Sequence, residues 1–189
     1  MTTYEDTLSM GDARQRYFTD NGFDGKYSER WVTLKAGPVS LKFPNAPGRV
    51  RAVKLHDLHH IATGYQTTWT GEGEISAWEI ASGCAHFMWA WYLNTSGFAI
   101  GLAIAPRNVF RAFVRGRHSR NLYHAEGEFR EAILRRSVGE IRRDLGLDRP
   151  VQRPSPSDVL AFGAWSVGAV AFTLAPLAAL VYGLTLLVS

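Results

Sequence analysis

The sequence predicts a mainly α protein: a compact helical domain with a short N-terminal β-hairpin and a C-terminal transmembrane helix. Three observations support this fold class. Apolar residues recur at helical spacing through the middle of the chain, thirty residues near its end carry no charge, and a proline-rich segment separates the two regions. We therefore divide the chain into an N-terminal extension, a helical domain, a linker and a transmembrane tail, at residues 1–49, 50–148, 149–157 and 158–189.

The extension combines a helix with a hairpin. A helix is predicted around Ser9 to Thr19, and strand-like runs at 31–34 and 39–43 flank the breaker Ala36-Gly37-Pro38. The first twelve residues are polar and partly acidic, without the basic start and apolar stretch of a signal peptide. We expect no secretory signal in them.

A window of seventeen residues, from His56 to Glu72, holds the candidate functional site. On a helix, His56 and His60 lie one turn apart on the same face, and Asp57 borders that face. A helix stop at Thr63-Gly64 and a threonine-rich loop place Glu72 in the first turn of the next helix, where it can fold back onto the histidines. A His-x-x-x-His pair alone is more often structural, but two imidazoles and two carboxylates together suit a divalent metal, zinc first and iron as the alternative.

Four other polar or reactive residues near this window receive weaker assignments. Glu79 lies two turns after Glu72 on the same face, where it either contacts a ligating histidine from behind or pairs with an arginine. His59 points away from the pair and is interpreted as structural or surface-exposed. His86 and the single cysteine, Cys84, lie in an apolar run and are interpreted as core residues.

The following region is apolar and then basic. A partner helix is predicted from about Thr70 to Leu93, a break from Asn94 to Gly97, and a second apolar helix from Gly97 to Ala105. No charged side chain occurs from Ile80 to Pro106, a length that would permit a membrane span, but the break favours two helices over one span. The residues assigned to the lipid surface are Ile100, Leu102, Ile104, Arg107, Arg111 and Arg115.

Charge and the tail indicate a membrane partner. Five arginines and no acid occur between Arg107 and Arg120, without a nucleic-acid recognition motif, so an anionic membrane is favoured and nucleic acid is not. An amphipathic pattern from Glu126 to Leu145 predicts a further helix. The uncharged run from Val159 to Val188 predicts one transmembrane helix, tilted or kinked at Pro176. The arginines before it predict a domain on the cytoplasmic side of the inner or cell membrane.

The histidine window also resembles a known family. HDLHH, eleven residues and then Glu72 are similar to the HDxxH-x11-E metal motif of the ubiquinone (coenzyme Q) biosynthesis protein 4 family, and the flank TTWTGE resembles that family's TTxxGE. Two further stretches, from Gly97 to Arg107 and from Val138 to Leu147, are similar to its apolar helix and its closing segment. The resemblance implies that the apolar region contacts lipid without spanning the membrane, and a true span is the alternative. The resemblance runs from about Val50 to Leu147 and implies that His56, Asp57, His60 and Glu72 bind the metal.

The resemblance implies a function in ubiquinone biosynthesis. The expected activity is removal of the C1 carboxyl of a polyprenylated hydroxybenzoate-type ring, coupled to hydroxylation at that carbon. The expected partners are membrane lipid, the polyprenyl quinone precursor and other quinone-biosynthesis enzymes. The alternative is a non-catalytic, lipid-binding organiser of such enzymes, with a structural metal. A zinc hydrolase is disfavoured because Asp57 is one methylene shorter than the general-base glutamate of His-Glu-x-x-His proteases.

Overall fold

The computed structural model describes residues 4–23, 27, 29–36, 39–150 and 152–188. It confirms the mainly α fold with an N-terminal hairpin and a long apolar C-terminal helix. A short 3₁₀ helix, Glu131–Arg135, precedes the helix Val138–Leu145. The other elements are α1 (Met10–Asp20), β1 (Trp31–Ala36), β2 (Val39–Pro44), α2 (Pro47–Thr63), α3 (Trp69–Ser82), α4 (Met88–Ile104), α5 (Pro106–Arg117), α6 (Leu122–Ala125), α7 (Val138–Leu145) and α8 (Pro156–Val188).

The two predicted strands pair as an antiparallel hairpin. Trp31 is opposite Pro44 at the open end and Ala36 is opposite Val39 at the closed end. The predicted turn at Gly37-Pro38 lies outside the described residues.

The N-terminal segment is bonded to the end of the helical domain. The Ser9 side chain caps α1 by accepting a hydrogen bond from the Asp12 amide, and Ser9 also bridges to Ser137 before α7. From α7, the Arg142 guanidinium donates to the Tyr4 carbonyl at 2.9 Å and to the Ile61 carbonyl at 3.1 Å. One arginine therefore ties the start of the chain to the end of α2.

The turn between α2 and α3 sets the position of the candidate site. α2 ends at Gly64, whose φ of 79° is a left-handed cap that glycine adopts without strain. α3 begins after a short loop, where the Thr68 side chain caps the first turn by accepting a hydrogen bond from the Gly71 amide. This short connection brings the last turn of α2 next to the first turn of α3, as the sequence predicted.

The helix boundaries that follow differ from the prediction. The partner helix does not reach Leu93: it ends at Ser82, because Gly83 and Ala85 have φ values of 86° and 46°. The predicted break from Asn94 to Gly97 is wrong, and α4 is continuous. The Asn94 side chain bonds inside the protein, and the neighbouring hydroxyls of Thr95 and Ser96 donate to carbonyls one turn back. The predicted helix over 126–145 is also interrupted, since the 3₁₀ helix and Ser137 precede α7.

α3 and α4 touch through their backbones. A Cβ atom placed on Gly73 would lie 2.6 Å from the Gly101 Cα, and one placed on Gly97 would lie 2.3 Å from the Ser76 hydroxyl. Neither Gly73 nor Gly101 therefore has room for a side chain. The two helices are fixed against each other one residue away from Glu72.

The first half of α8 is docked on the domain. Trp165 stacks on Trp91 of α4 with ring centroids 5.7 Å apart, and Phe162 contacts Phe98 and Phe113. At its first turn the buried Asp158 carboxylate accepts hydrogen bonds from Arg117 Nε at 2.5 Å and His118 Nε2 at 3.3 Å. The segment Pro156–Pro176, with a mean hydropathy of 1.7, is long and apolar enough to span a membrane. Its first turns are also part of the folded domain.

Candidate metal centre

Three side chains converge where α2 meets α3: those of His56, His60 and Glu72. The two Nε2 atoms of the histidines lie 3.2 Å apart. Glu72 Oε1 lies 3.4 Å from His60 Nε2, and Glu72 Oε2 lies 3.6 Å from His56 Nε2. Helical spacing and the short turn produce this cluster, as the sequence predicted.

The outer nitrogen of each imidazole is held by a fixed acceptor. His56 Nδ1 donates to Glu79 Oε1 at 2.8 Å, and His60 Nδ1 donates to the Tyr65 carbonyl at 2.9 Å. Because a carboxylate and a carbonyl only accept, each Nδ1 carries a hydrogen, and in the neutral imidazoles each Nε2 presents a lone pair. Two lone pairs that face each other at this distance repel unless a proton on His56 Nε2 or a metal ion lies between them.

The spacing of the three ligand atoms fits a small divalent ion. In a tetrahedral site with metal–ligand bonds of about 2.0–2.1 Å, neighbouring ligand atoms lie about 3.3–3.4 Å apart. The measured separations of 3.2, 3.4 and 3.6 Å scatter around that value. The cluster could therefore hold a metal ion. Imidazole and carboxylate suit zinc and iron, so the donor set does not select one of them.

Asp57, the fourth predicted ligand, is not part of this cluster. Its carboxylate is buried and accepts a hydrogen bond of 2.6 Å from the Tyr27 hydroxyl. Tyr27 belongs to the N-terminal extension, thirty residues earlier in the chain. No spacing argument in the sequence could show that this donor would reach Asp57.

Glu79 contacts His56, a ligating histidine, on the side of the ring away from the metal cluster. This is one of the two roles that the sequence predicted for it. Its carboxylate is fully buried, and it accepts from His56 Nδ1, from His59 Nδ1 at 2.6 Å and from the Tyr123 hydroxyl at 3.0 Å. The Asn94 amide is a fourth donor. His59 lies outside the metal cluster, and its Nε2 accepts from the Leu122 amide at 2.9 Å, so it links this carboxylate to α6.

The charges of the site favour a cation. Burial raises the pKa of Glu72, but hydrogen bonds and charges from His56 and His60 outweigh it and lower the pKa to about 2. The same balance, with His56 and His59 as the partners, holds the pKa of Glu79 well below its usual range. Burial lowers the pKa of His56, yet the two carboxylates raise it by more. Both carboxylates are therefore ionised at neutral pH, and a bound divalent ion would replace the proton that they favour on His56.

The predicted lipid-facing residues divide into two groups. Ile100, Ile104, Arg107 and Arg111 are exposed as expected. Leu102 is not, because it packs against the core. Arg115 is turned back into the protein: its guanidinium donates to the Thr63 carbonyl at 3.0 Å and lies over the Tyr65 ring.

Arg115 thus braces the loop whose Tyr65 carbonyl orients His60. Sequence reasoning also missed the contacts of Tyr17, Tyr27, Asn94 and Tyr123 with the site. Each comes from an element distant in the sequence, and only the three-dimensional packing brings them together. The sequence shows a run of arginines after an apolar helix, and this pattern does not indicate that Arg115 would face the protein interior.

Comparison of the chain with protein-family models, with curated proteins and with solved structures found no match. The resemblance to the ubiquinone biosynthesis protein 4 family stays a prediction that depends on the residues quoted above.

Proposed function

We propose that this chain is a membrane-associated, metal-dependent enzyme of ubiquinone biosynthesis that acts on the ring of a polyprenylated quinone precursor. The observation that carries the proposal is the cluster of His56, His60 and Glu72, whose ligand atoms have the spacing of a divalent-metal site. The HDxxH-x11-E pattern of the same residues supports the assignment. The overall reaction we assign is oxidative: the C1 carboxyl leaves as carbon dioxide, a hydroxyl takes its place, and dioxygen is the two-electron oxidant that this exchange requires.

The number of protein ligands favours a catalytic site over a structural one. Structural zinc is usually enclosed by four protein ligands, whereas catalytic sites use three and leave a position for water or substrate. Here Asp57 is engaged by Tyr27, and the His56 and Glu72 side chains are 20% and 39% exposed. This open arrangement favours the enzyme over the alternative, a non-catalytic organiser with a structural metal.

The residues around the metal have separate tasks. When bound, the metal supplies a Lewis acid that stabilises negative charge developing on the substrate ring. Glu79 and the Tyr65 carbonyl fix the two imidazoles so that both Nε2 atoms point inward. Glu72 adds a negative ligand from α3. We assign zinc as the first candidate and iron as the alternative.

A substrate that resides in the membrane accounts for the apolar surface. α8 contains a segment long and apolar enough to span a bilayer. α4 exposes Ile100 and Ile104, and α5 begins with the exposed Arg107 and Arg111. Together these surfaces support a domain held on the cytoplasmic side of the inner or cell membrane, next to lipid and to other quinone-biosynthesis enzymes.

Replacement of the ligands tests the proposal. His56→Ala and His60→Ala each remove one metal-binding nitrogen, so the metal content of the purified full-length protein should fall well below one ion per chain. Elemental analysis measures this. His86→Ala is the matched control, because His86, contrary to the core position predicted for it, is exposed, contacts Phe87 and lies outside the cluster. It should keep the full metal content.

The same variants separate the enzyme from the organiser. If the protein is an enzyme, a deletion strain that expresses a folded but metal-free variant should accumulate a prenylated ring that still carries its C1 carboxyl. Normal quinone production by a metal-free His60→Ala protein would exclude a catalytic metal. Full metal content in both alanine variants would exclude the site itself.

A further inference from the structure

Asp57 is a buried carboxylate that borders the metal cluster without belonging to it. It follows His56 on α2 and lies three residues before His60, so the helix places it beside both ligands. Burial raises the pKa of Asp57, although the hydrogen bond from Tyr27 and the nearby charges of His56 and His60 act in the opposite direction. Carboxylate oxygens bind the same divalent ions as imidazole nitrogens. A carboxylate at this place would therefore bind the metal if nothing else engaged it.

The Tyr27 hydroxyl engages this carboxylate. It donates to Asp57 Oδ2 at 2.6 Å, which is the length of a hydrogen bond from a hydroxyl to a charged oxygen. Within the described part of the chain, no second group forms a hydrogen bond with the Asp57 side chain. Burial and the negative charge of Asp57 raise the pKa of Tyr27, so its hydroxyl keeps the proton and remains a donor.

Tyr27 is itself fixed by three parts of the chain. The Asn45 side chain, which lies between β2 and α2, donates to the Tyr27 carbonyl at 3.1 Å. The Tyr27 ring packs edge-on against Phe18 of α1, with centroids 6.0 Å apart. Lys54 of α2 places its Nζ 5.3 Å from the centre of the same ring. The position of the hydroxyl therefore depends on how the N-terminal extension packs on α2.

We infer that Tyr27 is a positioning residue of the metal centre: its hydroxyl withholds Asp57 from the metal, so that three protein ligands remain and one coordination position stays open. Catalytic metal sites need such a position, which a fourth protein ligand would close. The inference rests on the proposed function, because it concerns the same metal centre. It gives the N-terminal extension control over the number of ligands.

The inference predicts that removal of one hydroxyl strengthens metal binding. In Tyr27→Phe the ring keeps its contacts with Phe18 and Lys54, but Asp57 loses its donor and is free to bind the ion. The probe is cobalt(II) bound to the full-length protein in detergent. Its dissociation constant, measured by competition with a chelator, should fall about tenfold, the lower end of the effect of groups that surround a metal site. A mere loss of a structural hydrogen bond would leave this constant unchanged or raise it.

Azide reports on the open coordination position. In the unaltered protein, this small anion should bind the cobalt ion and shift its visible absorption bands in a saturable way. In Tyr27→Phe the fourth protein ligand occupies the position, so azide should no longer shift the bands.

Asp57→Asn is the matched control. Asparagine keeps a carbonyl oxygen that accepts from Tyr27, and Asp57 is not a ligand of the metal, so the cobalt affinity and the azide response should change little. Combined with Tyr27→Phe, the same substitution should cancel the gain in cobalt affinity and restore the azide response. This cancellation separates the release of Asp57 from any other effect of the missing hydroxyl.

Each outcome bears on the inference. Equal or weaker cobalt binding by Tyr27→Phe, or loss of cobalt from Asp57→Asn, would overturn it. Should Tyr27→Phe fail to fold, Asp57→Asn decides alone: retained cobalt and azide responses support the inference, and lost cobalt overturns it. An unaltered protein that takes up no cobalt would overturn it together with the metal centre. If the cobalt results are as predicted but the deletion strain shows no quinone defect, the proposed function fails and the inference stands.

Discussion

Glu79 is a buried carboxylate that joins the metal centre to the protein core. Its donors come from α2, from α4 and from the Tyr123 hydroxyl in α6, so four separate bonds converge on two oxygens. A fully buried charge is tolerated only when it is compensated in this way. The orientation of the His56 ring therefore depends on helices that contribute no metal ligand.

Substitution of Glu79 should damage both stability and the metal site. Glu79→Gln removes the charge and offers an amide NH2 to groups that are themselves donors. We expect the free energy of unfolding to fall by about 3 kcal/mol or more and the metal affinity to fall about 10–100-fold. Thermal unfolding in detergent and competition with a chelator measure the two effects.

Glu128→Gln is the matched control for this variant. Glu128 is exposed and pairs with Arg130 at 3.4 Å. Exposed ion pairs of this kind contribute little to stability. Similar losses in Glu128→Gln and Glu79→Gln would show that burial of Glu79 is not the cause.

Residues of the site could be predicted from the sequence where local geometry decides their position. His56 and His60 are four residues apart and therefore share one face of a helix. The glycine that ends this helix, followed by the threonine that caps the next, brings Glu72 back to them. The fate of Asp57 could not be predicted in this way. Its partner, Tyr27, approaches from a part of the chain that carries no recognisable motif, and a competing hydrogen bond cannot be inferred from ligand spacing alone.

At the scale of the elements, close helix packing positions the Glu72 side of the site. Gly73 and Gly101 allow α3 and α4 to touch through their backbones, and Gly116 of α5 lies against Trp78 of α3 in the same manner. These contacts leave no room for side chains. The relative position of α3 and α4 is thereby fixed next to a metal ligand.

A methyl group at this contact should separate the helices. For Gly101→Ala, the new Cβ would meet the Gly73 Cα at 2.6 Å and Val109 at 2.9 Å, so backbone has to move. Overpacking of this kind costs about 1–3 kcal/mol, and we expect a lower unfolding temperature and a lower metal content. Gly163→Ala on α8, where nothing lies within 4 Å of the added carbon, should leave both unchanged or slightly raise the unfolding temperature. Equal behaviour of the two variants would contradict the close contact.

Helix boundaries were less predictable than helix identity. Asn94, Thr95 and Ser96 form a typical break signal in sequence, yet α4 continues because each side chain finds an acceptor within the helix or in the core. At Gly83 the opposite occurs. The apolar sequence predicts that the helix continues, but the backbone has a positive φ and the helix ends. In both places the tertiary contacts overrule the local pattern.

At the scale of the molecule, α8 is part of the fold and is also long and apolar enough to span a membrane. Its Phe162 and Trp165 pack on α4 and α5, while most of the remaining surface of the apolar segment is exposed. Removal of α8 would therefore uncover core residues as well as remove the candidate membrane span. Experiments on membrane attachment need the full chain.

The proposed topology is tested by protease access. Arginines precede the apolar helix on the domain side, and the positive-inside rule places such residues in the cytoplasm. Trypsin added outside sealed cells should leave the chain intact. In opened membranes it should cut after exposed arginines of the domain, such as Arg120 and Arg130, whereas Arg149 and Arg153 resist trypsin because each precedes a proline. Cleavage in sealed cells would reverse the topology.

The contact between Asp158 and Arg117 also limits rotation. With its first turn bound to α5 and its aromatic side chains stacked on α4, α8 cannot turn about its own axis relative to the domain. Once α8 is anchored in a bilayer, the domain diffuses laterally with one side always towards the lipid. A substrate confined to the same leaflet would meet a constant face at every collision, and its search for the site would take place in two dimensions instead of three.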